Sequence, residues 1–267
     1  MIMDHLHRGD DEGGPGFDVI LLGYRGLGVN SKGELLKLKT PRFYTTCSVI
    51  DCVEPFKYAY EKYCKPYGRR AFGLGNSFGS NLMTLAFKQL DFLECFCFFS
   101  AIIEKPKTNV HIKTNMLGLM GQVFAEDLFQ FPRDNIEVCA PLYKEKSGFD
   151  LAEKVLQMQR DGTDKDLDAV FDTFYSPAMG FKNLDDYCDR GSAFPHIIKI
   201  DKPTLYLNSE DDPAVMFDFN KSPFKLNPNI VLVTLKSGGH TSTFEHFYSW
   251  DLWIIKPILA YFNTFDW

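Results

Sequence analysis

The sequence predicts an α/β fold, a mostly parallel sheet flanked by helices and interrupted by a helical insertion. Three observations predict it. Short apolar runs that do not alternate recur at strand length, separated by helical patterns, as in a parallel sheet covered on both faces. The rhythm stops from Pro106 to about Ile198, where helical and loop-like patterns follow one another, and resumes at Pro203. Residues able to do chemistry fall on loops that follow predicted strands, where open α/β sheets place their sites.

Taken in order, residues 1–16 read as a polar, turn-rich leader. Residues 17–22 (Phe-Asp-Val-Ile-Leu-Leu) have strand length and end in the glycine loop Gly23-Tyr24-Arg25-Gly26-Leu27-Gly28. Residues 46–63 read as a helix, with Val49, Val53, Phe56 and Tyr60 at three-to-four spacing. Pro66 and Gly68 stop it. A short strand at 69–74, a helix to about Leu90 and a buried strand at 94–103 follow, the last with Cys95-Phe96-Cys97 in its core. Such a succession implies right-handed βαβ units. Helices at 115–129 and 151–160 occupy the insertion, which has the place of a cap or lid. Strands return at 203–208 and 230–235. A last helix, at about 250–262, puts Leu252, Ile255, Leu259 and Phe262 on one side. The expected divisions are a leader at 1–16, a first core part at 17–105, a cap at 106–198 and a second core part at 199–267.

Composition bounds the function. At 267 residues the chain makes one large domain, or one domain with an insert, and 25 Phe make its core aromatic. A net charge of −6 without a basic tract argues against a nucleic-acid partner. The seven Cys are scattered, show no zinc spacing, and read as reduced thiols facing the cytosol. No cofactor or metal is called for. The longest apolar runs, 19–22 and 96–103, fall short of the roughly 18–20 residues of a membrane span. Residues 1–16 lack the apolar segment of a signal peptide. A cytoplasmic or membrane-associated location is expected.

The chemistry centres on Gly75-Asn76-Ser77-Phe78-Gly79, a Gly-x-Ser-x-Gly pattern between a strand and a helix. A nucleophile elbow needs that context: the turn is crowded, small residues must flank the serine, and its hydroxyl projects from the tip. The backbone N–H of Phe78, at the helix start, can serve a developing oxyanion. The plainer reading is a glycine-rich turn with a helix-capping serine. A serine hydroxyl needs a base, commonly a histidine held by a carboxylate. The strand at 203–208 runs into Ser209-Glu210-Asp211-Asp212-Pro213, and the strand at 230–235 into Lys236-Ser237-Gly238-Gly239-His240. Ser77, Asp212 and His240 thus follow three different strands in the order Ser…Asp…His. Asp212 is the preferred acid. Asp211 reads as a solvated loop residue or a partner of a backbone turn. His246 reads as surface or packing, and His5, His7, His111 and His196 as structural or solvent-facing.

Four stretches carry a family resemblance: Thr40-Pro41-Arg42-Phe43-Tyr44 after the Arg25-Gly26 loop; Gly75 to Asn81; Phe171-Asp172-Thr173-Phe174-Tyr175-Ser176-Pro177 with Gly180-Phe181 and Asp186-Tyr187; and Leu207 to Pro213 with Gly238-Gly239-His240. Over about residues 17–262 the chain resembles the α/β-hydrolase domain proteins 1, 2 and 3 and the plant embryogenesis-associated and bacterial YheT-like esterases. The resemblance implies an α/β-hydrolase fold and a serine esterase or lipase cleaving lipid-like acyl esters (acylglycerols, phospholipids or medium-chain esters). In that reading Ser77 is the nucleophile, His240 the base, Asp212 its partner and Phe78 N–H an oxyanion donor. Cap residues Leu117, Leu119, Met120, Val123, Phe124 and Phe129 would hold the acyl chain, or else close the cap's own core. A membrane-surface association is compatible with such substrates.

The family also has three strands and a helix ahead of the strand that residues 17–22 resemble. The sixteen residues before Phe17 cannot supply them, and no His-Gly oxyanion loop precedes Ser77. The first strands are therefore expected to be missing, as in an incomplete gene product, and residues 17–22 to pair directly with the strand before Ser77 or leave a gap. Gly23 stands where the family tends to have Asn, and Thr241-Ser242-Thr243 replaces a glycine-containing turn after His240. The alternative functions are a peptidase on the same fold, and a catalytically impaired hydrolase-fold fragment or ligand-binding scaffold.

Overall fold

The computed structural model describes residues 17–28, 32–34, 36–216, 223–241, 243–244 and 252–265. The leader at 1–16, the histidines His5, His7 and His246, and the start of the final helix at Trp250 lie outside the described residues.

The described residues form two compact units. The first comprises described residues of 1–22, 52–103 and 193–267, the second those of 23–51 and 104–192. The first holds a four-stranded sheet, β1 (Gly73–Asn76), β2 (Phe96–Phe99), β3 (Thr204–Ser209) and β4 (Ile230–Leu235), in that spatial order. Every pairing is parallel, with Gly73 opposite Phe96, Phe96 opposite Thr204 and Thr204 opposite Ile230. The shared register brings the carboxyl ends of β1, β2 and β3 to one edge.

Both faces of β2 and β3 are covered, which explains the absence of alternation in those two strands, whereas β4 is only partly buried, with Val231 exposed. On one face Cys95, Cys97, Phe99, Leu205 and Leu207 pack with Ile255, Ile258 and Phe262 of the last helix, Ile255–Asn263. On the other, Phe96 stacks on Phe98, Phe98 meets Tyr206 edge-on, and the Tyr206 hydroxyl bonds Thr84 Oγ1 at 3.0 Å. Thr84 lies on α2 (Phe78–Ala86), the helix that leaves β1. Gly73 makes room for side chains of that helix and of β2, since a Cβ there would lie 2.7 Å from Met83 Cε and 2.8 Å from Phe96.

Residues 17–22 correct an expectation. They adopt no strand and pair with neither β1 nor any other described strand. Phe17 and Val19 pack onto the cluster around Phe72 and Phe262, while Ile20 and Leu21 face solvent, Leu21 at 76% exposure. An apolar run of strand length becomes a strand only when a neighbour takes its backbone groups. The elbow strand itself begins at Gly73 rather than Arg69, and the helix expected at 46–63 is α1 (Val49–Ala59) continued by π and 3-10 turns to Tyr67, ending at Gly68 with φ 63°.

The second unit is helical, without a strand among its described residues. Its helices include α3 (Lys105–Thr114), α4 (Leu119–Asp134), α5 (Ile136–Ser147) and α6 (Leu151–Asp161). Its core is aromatic: Phe171 stacks on Tyr187 and Tyr175, and Tyr143 Oη donates to the Phe174 carbonyl at 2.7 Å. The Phe171–Pro177 motif is thus core packing, with Asp172 accepting from Leu184 N–H at 2.8 Å. Residues 23–51, expected in the first core part, belong to this unit. Leu38 and fully buried Phe43 insert into its core, and Leu38 N–H bonds Asn135 Oδ1 at 2.9 Å. Phe129 is also core here, whereas Leu117, Leu119 and Val123 are exposed, Leu117 almost completely.

Candidate active site

The candidate site lies within the first unit, at the carboxyl ends of its strands. Ser77 stands directly between β1 and α2. Its backbone is in the left-handed region, φ 48° and ψ −113°, a conformation costly for a residue with a Cβ. Two features hold it there. Ser77 N–H bonds the Phe99 carbonyl at 3.0 Å, extending the β1–β2 ladder into the turn. Gly75 lets α2 approach, because a Cβ at Gly75 would lie 2.8 Å from Ser80 Cα, 2.9 Å from Ser80 N and 2.9 Å from Phe98. The serine makes no helix-capping bond. Its Oγ lies 2.9 Å from His240 Nε2.

His240 sits on the loop after β4. Its Nδ1 lies 2.8 Å from Asp212 Oδ2 and 3.0 Å from Asp212 Oδ1, so Nδ1–H donates to the carboxylate and Nε2 is left to accept from Ser77. The imidazole is partly exposed, whereas the Asp212 side chain is fully buried. Burial of a carboxylate is costly unless its lone pairs are used. Asp212 Oδ1 also accepts from Ala214 N–H at 2.8 Å and Val215 N–H at 3.0 Å. These amides fix the carboxylate, which in turn fixes the ring.

The structure brings together the three residues Ser77, Asp212 and His240 that the sequence placed on separate loops. Phe78 is the first residue of α2, immediately after Ser77, so its amide lies at the helix N-terminus. Asp211, adjacent to the acid, does not touch the imidazole. Its Oδ1 accepts from Gly238 N–H at 2.9 Å and Gly239 N–H at 3.0 Å. Ser100, immediately after β2, was not singled out in the sequence. It has φ 48°, and its Oγ accepts from Thr241 N–H at 2.9 Å. Its only sequence signal is a hydroxyl residue at the carboxyl end of a strand.

Burial mutes several thiols. Burial pushes the thiols of Cys52 and Cys95 up to about 12 and those of Cys139 and Cys188 up to about 11. Desolvation lowers His196, and His111 Nε2 lies 3.2 Å from Asn115 Nδ2. Among the described residues no cluster of His, Cys, Asp and Glu has the arrangement of a metal site, and no helix is long and apolar enough to cross a membrane.

No family model matches the chain. Over 97 residues it is 35% identical to the medium-chain fatty acid ethyl ester synthase/esterase 2 of Saccharomyces cerevisiae, covering 36% of this chain and 21% of that protein. Over 89 residues it is 30% identical to the monoacylglycerol lipase of the same yeast, covering 33% and 20%. An abhydrolase domain-containing protein of Dictyostelium discoideum is 34% identical over 97 residues, covering 35% and 24%. The matched stretch is thus about a third of this chain, and it spans only a fifth to a quarter of the length of these curated relatives. The similarity is to the abhydrolase family. Among solved structures, an alpha/beta fold family hydrolase from Bacillus anthracis covers 91% of this chain and 80% of its own, with 12% identity and a TM-score of 0.49. An alpha/beta hydrolase enzyme from a Medee basin deep-sea metagenome library covers 86% and 76%, with 14% identity and a TM-score of 0.46.

Proposed function

We propose that the chain is a serine hydrolase of the α/β-hydrolase class that cleaves carboxylic esters, with Ser77, His240 and Asp212 as its catalytic residues. The observation that carries the reading is the continuous relay from Ser77 Oγ to His240 Nε2 at 2.9 Å and from Nδ1 to Asp212 Oδ2 at 2.8 Å. A capping serine, a loop histidine and a solvated aspartate have no reason to converge in this order.

Ser77 Oγ attacks the acyl carbonyl carbon as His240 Nε2 takes its proton. Asp212 keeps the ring oriented and stabilises the imidazolium. The carbonyl oxygen gains charge, and the Phe78 N–H at the start of α2 faces it with the positive end of the helix behind it. The imidazolium returns the proton to the departing alkoxide, and the alcohol leaves. Water then attacks the acyl-enzyme with His240 again as base, which releases the acid and restores Ser77.

Lipid-like acyl esters are the favoured substrate class, acylglycerols and medium-chain esters first. The names of two yeast relatives support that choice, as does the resemblance to the α/β-hydrolase domain and YheT-like esterases. Turnover of p-nitrophenyl esters from acetate to laurate, and of a monoacylglycerol, tests it. The reading expects hydrolysis by the wild type and none above background by S77A or H240Q. Equal turnover by S77A overturns the assignment, and activity confined to aminoacyl amides moves the chain to the peptidases of this fold.

A further inference from the structure

We propose that Asp211 and Ser100 are positioning residues for His240, which hold its loop from two strand ends by three backbone amides. The inference rests on His240 being the base of the proposed reaction.

The loop is weakly determined by its own sequence. Gly238 and Gly239 precede the histidine, and glycine carries the largest backbone entropy to be lost on ordering. Gly239 and Thr241 are both in the left-handed region, with φ 61°. His240 is partly exposed, so packing alone does not fix its ring. What fixes the backbone is three hydrogen bonds that bracket the histidine. Gly238 N–H and Gly239 N–H both donate to Asp211 Oδ1, at 2.9 and 3.0 Å, and Thr241 N–H donates to Ser100 Oγ at 2.9 Å. Consecutive amides converging on one carboxylate oxygen form a small anion nest, with the anion supplied by the protein.

Each anchor is itself built in. Asp211 lies two residues beyond the last residue of β3 and directly before Asp212, so one short loop sets both the carboxylate on the imidazole and the carboxylate under the loop. Ser100 is buried, and its N–H bonds the Leu207 carbonyl at 2.9 Å. The next two residues are clamped by side-chain amides. Asn208 exchanges two bonds with Ala101, at 3.3 Å to its N–H and 3.1 Å from its carbonyl, and Asn81 Nδ2 donates to the Ile102 carbonyl at 3.1 Å. Gly238 is closely packed as well, since a Cβ there would lie 2.5 Å from Ser209 Oγ and 2.8 Å from Thr243 Oγ1 and would displace those hydroxyls. The ends of β2 and β3 thereby set the position of a base carried on the loop after β4.

Two readouts test this on the intact chain. The first is the second-order rate of Ser77 labelling by a fluorophosphonate, with KM and kcat for an ester. D211A and S100A are expected to lower the labelling rate and kcat by about 10–100-fold, since small misplacements of catalytic groups cost that much, while KM changes less than about twofold. D211N keeps the Oδ1 acceptor and is expected within about threefold of wild type. The second readout is the hydrogen-bonded His240 Nδ1 proton in the far-downfield ¹H NMR spectrum, identified by its loss in H240Q. It is expected in wild type and D211N and exchange-broadened in D211A and S100A. If D211A and S100A keep both the labelling rate and a sharp proton, the proposal is overturned. A proton that behaves as expected in a chain never labelled at Ser77 supports the positioning role and overturns the ester-hydrolase reading instead.

Discussion

Gly75→Ala adds one methyl group at the crossing of β1 and α2, where the structure leaves no room. The new Cβ would lie 2.8 Å from Ser80 Cα and 2.9 Å from Ser80 N, both backbone atoms of α2, and 2.9 Å from the Phe98 ring. The ring can turn aside, but the helix backbone cannot. To reach ordinary contact at 3.4 Å, α2 must move away from β1 by about 0.6 Å. Overpacking of this kind typically costs about 1–3 kcal/mol. The shift also exceeds the roughly 0.5 Å within which catalytic groups must be held. Ser77 Oγ, now 2.9 Å from His240 Nε2, is carried on the displaced turn. G75A is therefore expected to lose about 1–3 kcal/mol in urea unfolding and at least about tenfold in the rate of fluorophosphonate labelling. Wild-type stability with a wild-type labelling rate would refute the argument that this glycine exists to let the helix approach the strand.

Other predictions concern the buried carboxylate, the thiols and the helical unit. D212N retains the shape of the side chain and loses its charge, so kcat is expected to fall by about 10³–10⁴ with the chain still folded. D212A also leaves the amides of Ala214 and Val215 without their acceptor, and is expected to cost a further ~1–3 kcal/mol by chemical denaturation. Burial raises Cys52 and Cys95 from 9.0 to about 12, and Cys139 and Cys188 to about 11. These thiols stay protonated when folded and ionise when unfolded, so their contribution is complete below pH 9 and is lost as pH rises toward 11–12. The urea midpoint is expected to fall across that window, and a midpoint flat to pH 11 would contradict it. Y143F removes the 2.7 Å bond to the Phe174 carbonyl and is expected to destabilise by about 1 kcal/mol without changing labelling at Ser77.

The parts of the fold legible in the sequence are those whose signal is local. The runs at 94–103 and 203–208 are largely apolar without alternation because both faces of β2 and β3 are covered, and the run at 230–235 matches β4 residue for residue although β4 is only partly buried. The elbow is legible because crowding at Gly75 dictates residue type directly. Residues 17–22 carried the same local signal and adopt no strand, because a strand is completed by its neighbours and composition does not report them. Residues 23–51 read as part of the first core division by their position in the chain, whereas Leu38 and Phe43 belong to the helical core. At the site, residue order placed Ser77, Asp212 and His240 on their loops. For Asp211 the sequence offered a backbone turn as one of two readings but not which amides it binds, and the bond of Ser100 was not legible at all, because any polar residue nearby can make such a bond and only coordinates say which does.

The most direct test of the central claim is intact-mass spectrometry after incubating the purified chain with a fluorophosphonate, alongside Ser77→Ala. The account predicts a single adduct on the wild type, mapped to Ser77, and none on S77A. A folded, monodisperse wild type that stays unlabelled, or an adduct that persists on S77A, would contradict it.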